Sequence, residues 1–509
     1  MRPGVLRELK AELPGVGVGP IVAAAAAVVA ASAWFNEGFF SHDEHFQILE
    51  FAWFKLGRTP PAALAWEFGE RMRPAIQPWL AAGVFKVLGV PRVVTPFFAE
   101  FLLRLASGLL GLWVSLEVCL RTIPWVREPS LKRLLLVGML FLWFLPYEHG
   151  RFASENWGGI LFFGGVCLLL DARAAATRAR AIHRSACAGL LWGAAFFCRF
   201  QVGLAVAGAG LWLVLVDRVA LRILIALAVS FALACAVNVT IDHWLYGAWV
   251  CTPCNYFYTN IVLGKAAAFS TEPWWFYLGQ MLGLLVPPFS LLLVALLGVS
   301  VWCRRSNVLV WSVVPFVVGH TLLGHKEVRF LIPMTYALVP LLALGGDCLP
   351  EAMTALKVRP MYAIAVRLFV VLNVLALMVM TFKPSSETAV VYRRLYEESR
   401  RGPMVLYSAS ALPYSMAGSA VDFYRPENLT LKALDVPKLR AETNANPHRV
   451  FLFQQSLDPP DWIAANHLAC APLARTIPLW ASQVNVNNWT SRMYQWSVFA
   501  IATGPSGPC

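Results

Sequence analysis

Long apolar stretches occupy most of this chain, and short polar clusters separate them. A bilayer-crossing helix needs roughly 20 apolar residues. Candidate runs lie near 16–35, 96–120, 134–148, 157–170, 186–198, 201–216, 220–240, 275–302, 308–324, 330–346 and 361–382. They predict an α-helical polytopic membrane protein with about 11 spans. The runs at 186–198 and 201–216 are short and are expected to tilt against neighbours or to be half-helices. The first run has no clear small-residue cleavage site before the polar loop, so it reads as a retained helix rather than a signal peptide.

Two regions depart from this pattern. Residues 36–95 form a loop of about 60 residues, too long for a plain connector. Within it, 46–56 sets Phe46, Leu49, Trp53 and Leu56 at helical spacing, and 78–89 is similarly apolar. Both predict amphipathic helices lying in the membrane interface, able to guide a lipid-linked substrate towards Asp43 and Glu44. A structural re-entrant segment is the alternative. From about residue 384 the chain turns polar and Pro-rich, with β-prone runs at 403–407 and 449–454. That change predicts a transmembrane domain over 1–383 and a small mixed α/β domain over 384–509.

Charge assigns the sides. Hydrophobic residues make up 58% of the 509 and charged residues 14%, against roughly a quarter charged in soluble domains. The net charge of +13 therefore reads as basic cytoplasmic loops, not as a nucleic-acid surface. Basic residues occupy every second loop. They are Arg2, Arg7 and Lys10, then Arg121, Arg127, Lys132 and Arg133, then Arg173, Arg178, Arg180 and Arg184. Arg218 and Arg222, Arg304 and Arg305, and Lys357 and Arg359 continue the series. The N-terminus is then inside, and the segment after 384 is outside.

The alternate loops hold residues that topology does not require. They are His42-Asp43-Glu44-His45, Arg151 with Ser154-Glu155-Asn156, Arg199-Phe200-Gln201, Asp242 through Asn260, and His325-Lys326-Glu327-Val328-Arg329. Asp43 and Glu44 follow the first span, where a carboxylate can serve as a general base; anchoring a helix end is the plainer reading. Arg151, Arg199, Lys265, Lys326 and Arg329 are cations in loops that should lack them, so as a cluster they point to phosphate, with a local salt bridge the alternative for any one of them. Glu100 and Arg104, four apart in the second run, read as a structural pair.

His325-Lys326-Glu327-Val328-Arg329-Phe330 resembles the HKE-x-RF signature of glycosyltransferase family 22. Asp43-Glu44-His45-Phe46-Gln47 is similar to that family's DE-x-(F/W)-Q motif. Trp66-Glu67, Glu70-Arg71, Arg73 and Pro78 resemble the WEW-x-ERLRS segment of its GPI branch. Asp242, Tyr246-Gly247, Asn255-Tyr256-Phe257 and Pro273-Trp274 follow the order of a later loop in that branch, and Arg199 matches a basic residue after a short mid-chain helix. The likeness covers roughly 36–346.

The resemblance implies the GT-C fold and transfer of a sugar, mannose above all, from a polyprenyl (dolichyl) phosphate donor. The acceptor would be a lipid-linked glycan or glycolipid, and the reaction would invert the anomeric carbon. It implies Asp43 as catalytic base with Glu44 in support. Lys326, Arg329 and Arg199, with His325 and Arg73, would bind the donor phosphate. His45, Gln47, Arg151, Glu155, Asp242, Asn255, Trp274 and Glu327 would contact substrate. It implies no metal cofactor, in keeping with the lack of a DxD-type motif. The chain departs from the pattern at Glu272, where the family has His, and at Pro74, where it has Ser. Ala411-Leu412-Pro413-Tyr414 stands where the GPI branch has a Cys-His pair. These departures bear on sugar and acceptor more than on reaction type.

Of eleven cysteines, Cys251 and Cys254 form a CxxC that reads as a disulfide or two free thiols sooner than as half a zinc site. Cys470 and Cys509 are a second candidate pair. A transporter or lipid flippase is the competing function class. It predicts internal repeats and charged residues within spans, whereas no repeat is visible and the charges sit in loops. A non-catalytic subunit of a glycan assembly complex is the third reading.

Overall fold

The computed structural model describes residues 4–349, 360–446 and 449–503. Arg2, Lys357, Arg359 and Cys509 lie outside them. All eleven apolar runs are helical, but they are not eleven uniform spans. Among the described residues, five helices are long and apolar enough to cross a membrane: Val18–Phe35, Pro96–Trp125, Leu221–Tyr246, Val328–Asp347 and Ala363–Phe382. A sixth results if Ser290–Cys303 and Val308–Leu322, bent by 118°, count as one span.

The shortfall has identifiable causes. Ser154–Arg173 and Arg178–Cys198 are long enough, at 20 and 21 residues, but carry charges near their ends. Val202–Leu215 has 14 residues, about 21 Å at 1.5 Å per residue, short of a hydrocarbon layer of about 30 Å. The run 134–148 breaks between Pro129–Phe141 and Leu145–His149. The run 275–302 breaks between Phe276–Leu284 and Ser290–Cys303, around Pro287 and Pro288, because proline cannot donate within a helix.

The chain divides into two compact units. The helical unit comprises Met1–Phe35, Glu70–Trp79 and Leu102–Lys383. In it Arg178–Cys198 packs against Leu221–Tyr246 and Ser154–Arg173, and Val202–Leu215 against Val308–Leu322. Its core includes Leu116, Leu135, Phe162, Trp192, Phe316 and Tyr336. Gly208 makes one of these approaches possible, since a Cβ there would run into the Trp311 carbonyl oxygen. Small residues at such crossings let helix backbones approach closely.

Ion pairs bring the alternate basic loops of this unit together. Arg127 and Arg304 share Asp347 at 3.2 and 2.9 Å. Arg121 pairs with Asp171, Arg173 with Asp217, and Lys132 with Glu12. The loops selected by charge alone therefore cluster spatially.

The second unit comprises Asn36–Gly69, Leu80–Phe101 and Pro384–Cys509. Its sheet contains β1 (Met404–Ser408), β4 (Leu429–Ala433), β5 (Val450–Gln454), β6 (Leu468–Arg475) and β7 (Ser497–Thr503), in the order β4-β1-β5-β7-β6. The two β-prone runs become the adjacent parallel strands β1 and β5. β2 (Ser415–Met416) and β3 (Ser419–Ala420) form a separate small hairpin. Helix Val436–Ala445 makes the crossover between β4 and β5, capped where Asp435 accepts from Lys438 N at 3.1 Å. A mixed sheet thus follows the expected α/β character.

The long loop is grouped differently from the division at residue 384. Residues 36–69 and 80–101 group with the C-terminal segment. Aromatic contacts hold them there. Phe85 stacks on Phe423 at 5.0 Å, Phe97 stacks on Tyr424 at 5.1 Å, and Trp53 meets Phe423 edge-on at 5.4 Å.

The expected interfacial helix at 46–56 is corrected accordingly. Glu44–Leu49 is a π-helical turn continuing into Glu50–Lys55, and every residue from Glu44 to Trp53 is buried. A helix lying in the membrane interface needs a wet face, and this one has none over that stretch. Helix Ile76–Leu88 does expose apolar side chains, Trp79 and Val87.

Candidate active site

The helical unit brings Arg199 and Arg329 together on one buried carboxylate. Glu155, 2% exposed, sits in the first turn of Ser154–Arg173. Its Oε1 lies 3.2 Å from Arg199 Nη1 and 3.3 Å from Arg329 Nη1. Arg199 follows the last turn of Arg178–Cys198 and is 4% exposed. Arg329 lies in the 3₁₀ segment Val328–Met334, which crosses Ser154–Arg173. Phe330 faces both guanidinium groups, at 4.8 Å from Arg199 and 5.4 Å from Arg329.

The 325–329 motif is internally braced. Arg329 donates through Nε and Nη2 to the two Glu327 oxygens at 2.6 and 2.9 Å. His325 Nε2 lies 3.1 Å from Glu327, and its Nδ1 lies 3.0 Å from Ser270 Oγ. Lys326 Nζ donates to the Glu272 carbonyl at 2.8 Å. At the position where the family has His, Glu272 thus contributes backbone to this cluster. Glu327 clamps Arg329 in a two-point pair, whose geometry favours a planar guanidinium.

A second group supports Arg73. Asp242 is fully buried, and it accepts from Ala75 N at 2.7 Å and Thr252 Oγ1 at 2.6 Å. Tyr246 Oη donates to the Arg73 carbonyl at 2.7 Å, and Asn255 Nδ2 to the Arg71 carbonyl at 3.1 Å. Arg73 stacks over Tyr256, whose hydroxyl takes a 2.6 Å bond from Gln201 Nε2. Asp242 and Asn255, expected from sequence to contact substrate, hold the backbone of the segment that carries Arg73. Cys251 and Cys254 form a disulfide beside Thr252. Arg151 is buried over the Tyr147 ring at 5.7 Å. Trp274 is 73% exposed and joins neither group.

The second unit holds the carboxylates. Asp43 opens the π-helical turn and is half-buried; Glu44 is buried. Gln47 Nε2 bridges Asp43 Oδ1 at 2.8 Å and Glu67 Oε1 at 3.0 Å. Glu44 accepts from Phe40 N at 3.3 Å. The two acids differ in access, and Asp43 is the one a hydroxyl can approach. His45 is fully buried, 3.0 Å from Glu50 and stacked on Tyr424 at 5.0 Å. That environment orients the turn and leaves His45 away from solvent, so direct substrate contact, expected for it, is not its visible role.

The sequence reading passed over Glu50. Its oxygens accept from Thr59 Oγ1 and Phe423 N, each at 2.9 Å. The available signal was a lone carboxylate inside the apolar run FQILEFAW. Glu100 likewise accepts from Tyr424 Oη at 2.9 Å, and Arg104 Nε donates to the Ala33 carbonyl at 2.9 Å.

The sequence profile of the Alg9-like mannosyltransferase family matches residues 21–403, three quarters of the chain and all the motifs above. The chain belongs to the Alg9-like mannosyltransferase family. Relatives include GPI mannosyltransferase 3 of Yarrowia lipolytica, 27% identical over 67% of this chain and 64% of that protein. GPI mannosyltransferase 3 of Candida albicans is 24% identical over 58% of each. The matches thus span about three fifths of those relatives' length. A probable Dol-P-Man:Man(7)GlcNAc(2)-PP-Dol alpha-1,6-mannosyltransferase of Schizosaccharomyces pombe is 31% identical over 27% of this chain and 25% of its own. The crystal structure of ArnT from Cupriavidus metallidurans bound to undecaprenyl phosphate superposes with a TM-score of 0.58 at 15% identity, covering 97% of this chain and 99% of that one. This Alg9-like protein therefore has a GT-C-like fold, with a small C-terminal sheet region.

Proposed function

We propose that this Alg9-like protein transfers mannose from a polyprenyl (dolichyl) phosphate donor to a hydroxyl of a lipid-linked glycan or glycolipid. Asp43 takes the proton from the acceptor hydroxyl as its oxygen attacks C1 of the sugar. The bond from C1 to the phosphate oxygen breaks, and polyprenyl phosphate leaves with the electron pair. One displacement inverts the β-linked donor to an α-linked product. Arg199, Lys326 and Arg329, with His325 and Arg73, hold the phosphate and stabilise the charge growing on it. No metal takes part. The reaction faces the non-cytoplasmic side, in the ER membrane of a eukaryotic host or the plasma membrane of a bacterial one.

The observation that carries this reading is the cation cluster built from two arginines on one buried Glu155. Arg199 and Arg329 meet on Glu155, and Lys326 belongs to the same motif as Arg329, donors suited to an anionic leaving group. The test is an in vitro assay with a panel of polyprenyl-phosphate sugars and lipid acceptors. Asp43→Asn should abolish transfer, by at least about a hundredfold for a lost general base, while expression and donor binding persist. Transfer at near wild-type rate would overturn the assignment.

A further inference from the structure

The second unit contains a cavity of about 590 Å³ that its proposed base does not line. Its size falls within the roughly 300–1,000 Å³ of small-molecule sites. Arg58, Asp422, Arg425 and Glu427 supply polar groups, and Trp53 and Tyr414 supply aromatic wall, backed by proline and leucine side chains.

Two observations say what it takes. The charges are matched: Arg58 pairs with Glu427, and Arg425 lies 3.8 Å from Asp422. No net charge remains to draw an anion, yet donors and acceptors stand side by side, as neighbouring hydroxyls require. The apolar wall suits the C–H face of a sugar ring. The cavity is also tied to the Asp43 segment. Asp422 precedes Phe423, whose N–H binds Glu50, and Glu50 pairs with His45, two residues beyond Asp43.

We propose that this cavity binds a neutral saccharide, a sugar segment of the acceptor glycan. It rests on the transferase reading above and adds where the acceptor is held. Occupants of this kind would be selected by their hydroxyl pattern, through Asp422 and Arg425, and not by phosphate.

Saturation-transfer NMR on the full-length protein in detergent tests it, with methyl α-D-mannopyranoside as probe and mannose 6-phosphate as the anionic comparator. The neutral probe should bind saturably. Asp422→Asn should weaken it roughly tenfold, the effect of one lost hydrogen bond to a charged group. Ala63→Trp, which fills the cavity from a partly exposed position, should weaken it at least as much. Asp43→Asn should leave it unchanged. A signal indifferent to both cavity variants, or binding of the phosphate alone, overturns the proposal. Intact transfer without cavity binding refutes this inference only. Cavity binding in a protein that transfers no sugar refutes the enzymatic reading only.

Discussion

The motif carboxylates of the two units, Glu155 with Glu327 and Asp43 with its neighbours, are held in different ways. In the helical unit Glu155 is set between two arginines, and Glu327 is clamped to a third contact on Arg329. In the second unit, Asp43 and Glu67 receive a glutamine amide, Glu44 a backbone N–H, and Glu50 a threonine hydroxyl and another N–H. A carboxylate among cations keeps them ordered and partly neutralised, ready for an anion. A carboxylate held by neutral donors retains lone pairs that can take a proton. The difference lies between these two motif groups and not between whole units, since Asp242 of the helical unit also accepts from an N–H and a hydroxyl.

Removing Glu155 tests the first half of that contrast and should have the largest effect. Glu155→Ala leaves Arg199 buried without its counter-charge, at a cost of about 3–5 kcal/mol. We expect a steep loss of folded protein in size-exclusion and thermal unfolding measurements. An unchanged melting profile would mean the cluster does not depend on this carboxylate.

Glu50→Gln should cost less, about 1–3 kcal/mol, because its partners are mostly neutral. The amide can still accept one bond but no longer opposes His45. Thermal unfolding should show a moderate drop. A loss as large as that of Glu155→Ala would erase the distinction between the two groups.

The smallest effect lies at Glu442 in the crossover helix. Hydrogen bonds from Lys432 and the Tyr407 hydroxyl hold its pKa below the usual carboxylate value. Its contribution is therefore present above the unfolded pKa and fades as pH falls through the lower folded one. Because its partner Lys432 is exposed, screening limits it to a few tenths of a kcal/mol. Glu442→Gln should flatten the acid side of the stability profile by that amount. Asp422 behaves oppositely, since burial and then Glu50 raise its pKa. Its favourable term is present below the unfolded pKa and is lost as pH rises through the folded one.

Much of the helical unit was legible in the chain. Apolar runs gave helices because a bilayer-sized segment must satisfy its backbone internally; that Arg127 and Arg304, from two of the basic loops, share Asp347 came from the structure. The number of full spans was not legible. Broken helices near Pro287–Pro288 and short ones such as Val202–Leu215 share the composition of complete spans. The 325–329 motif stood out because cations in those loops oppose their topological preference. Its anchor on Glu155 did not, because 174 residues separate Glu155 from Arg329.

The sequence by itself determined the membrane class, the residues of the motifs, and the strand-forming runs, since hydrophobic period and charge act locally. Only the tertiary structure decided that Asp242 braces a loop, that 46–53 is buried in the second unit, and that Asp422 and Tyr414 line a cavity with Trp53. Burial and pairing depend on contacts between distant segments, and no local pattern encodes which segments those will be.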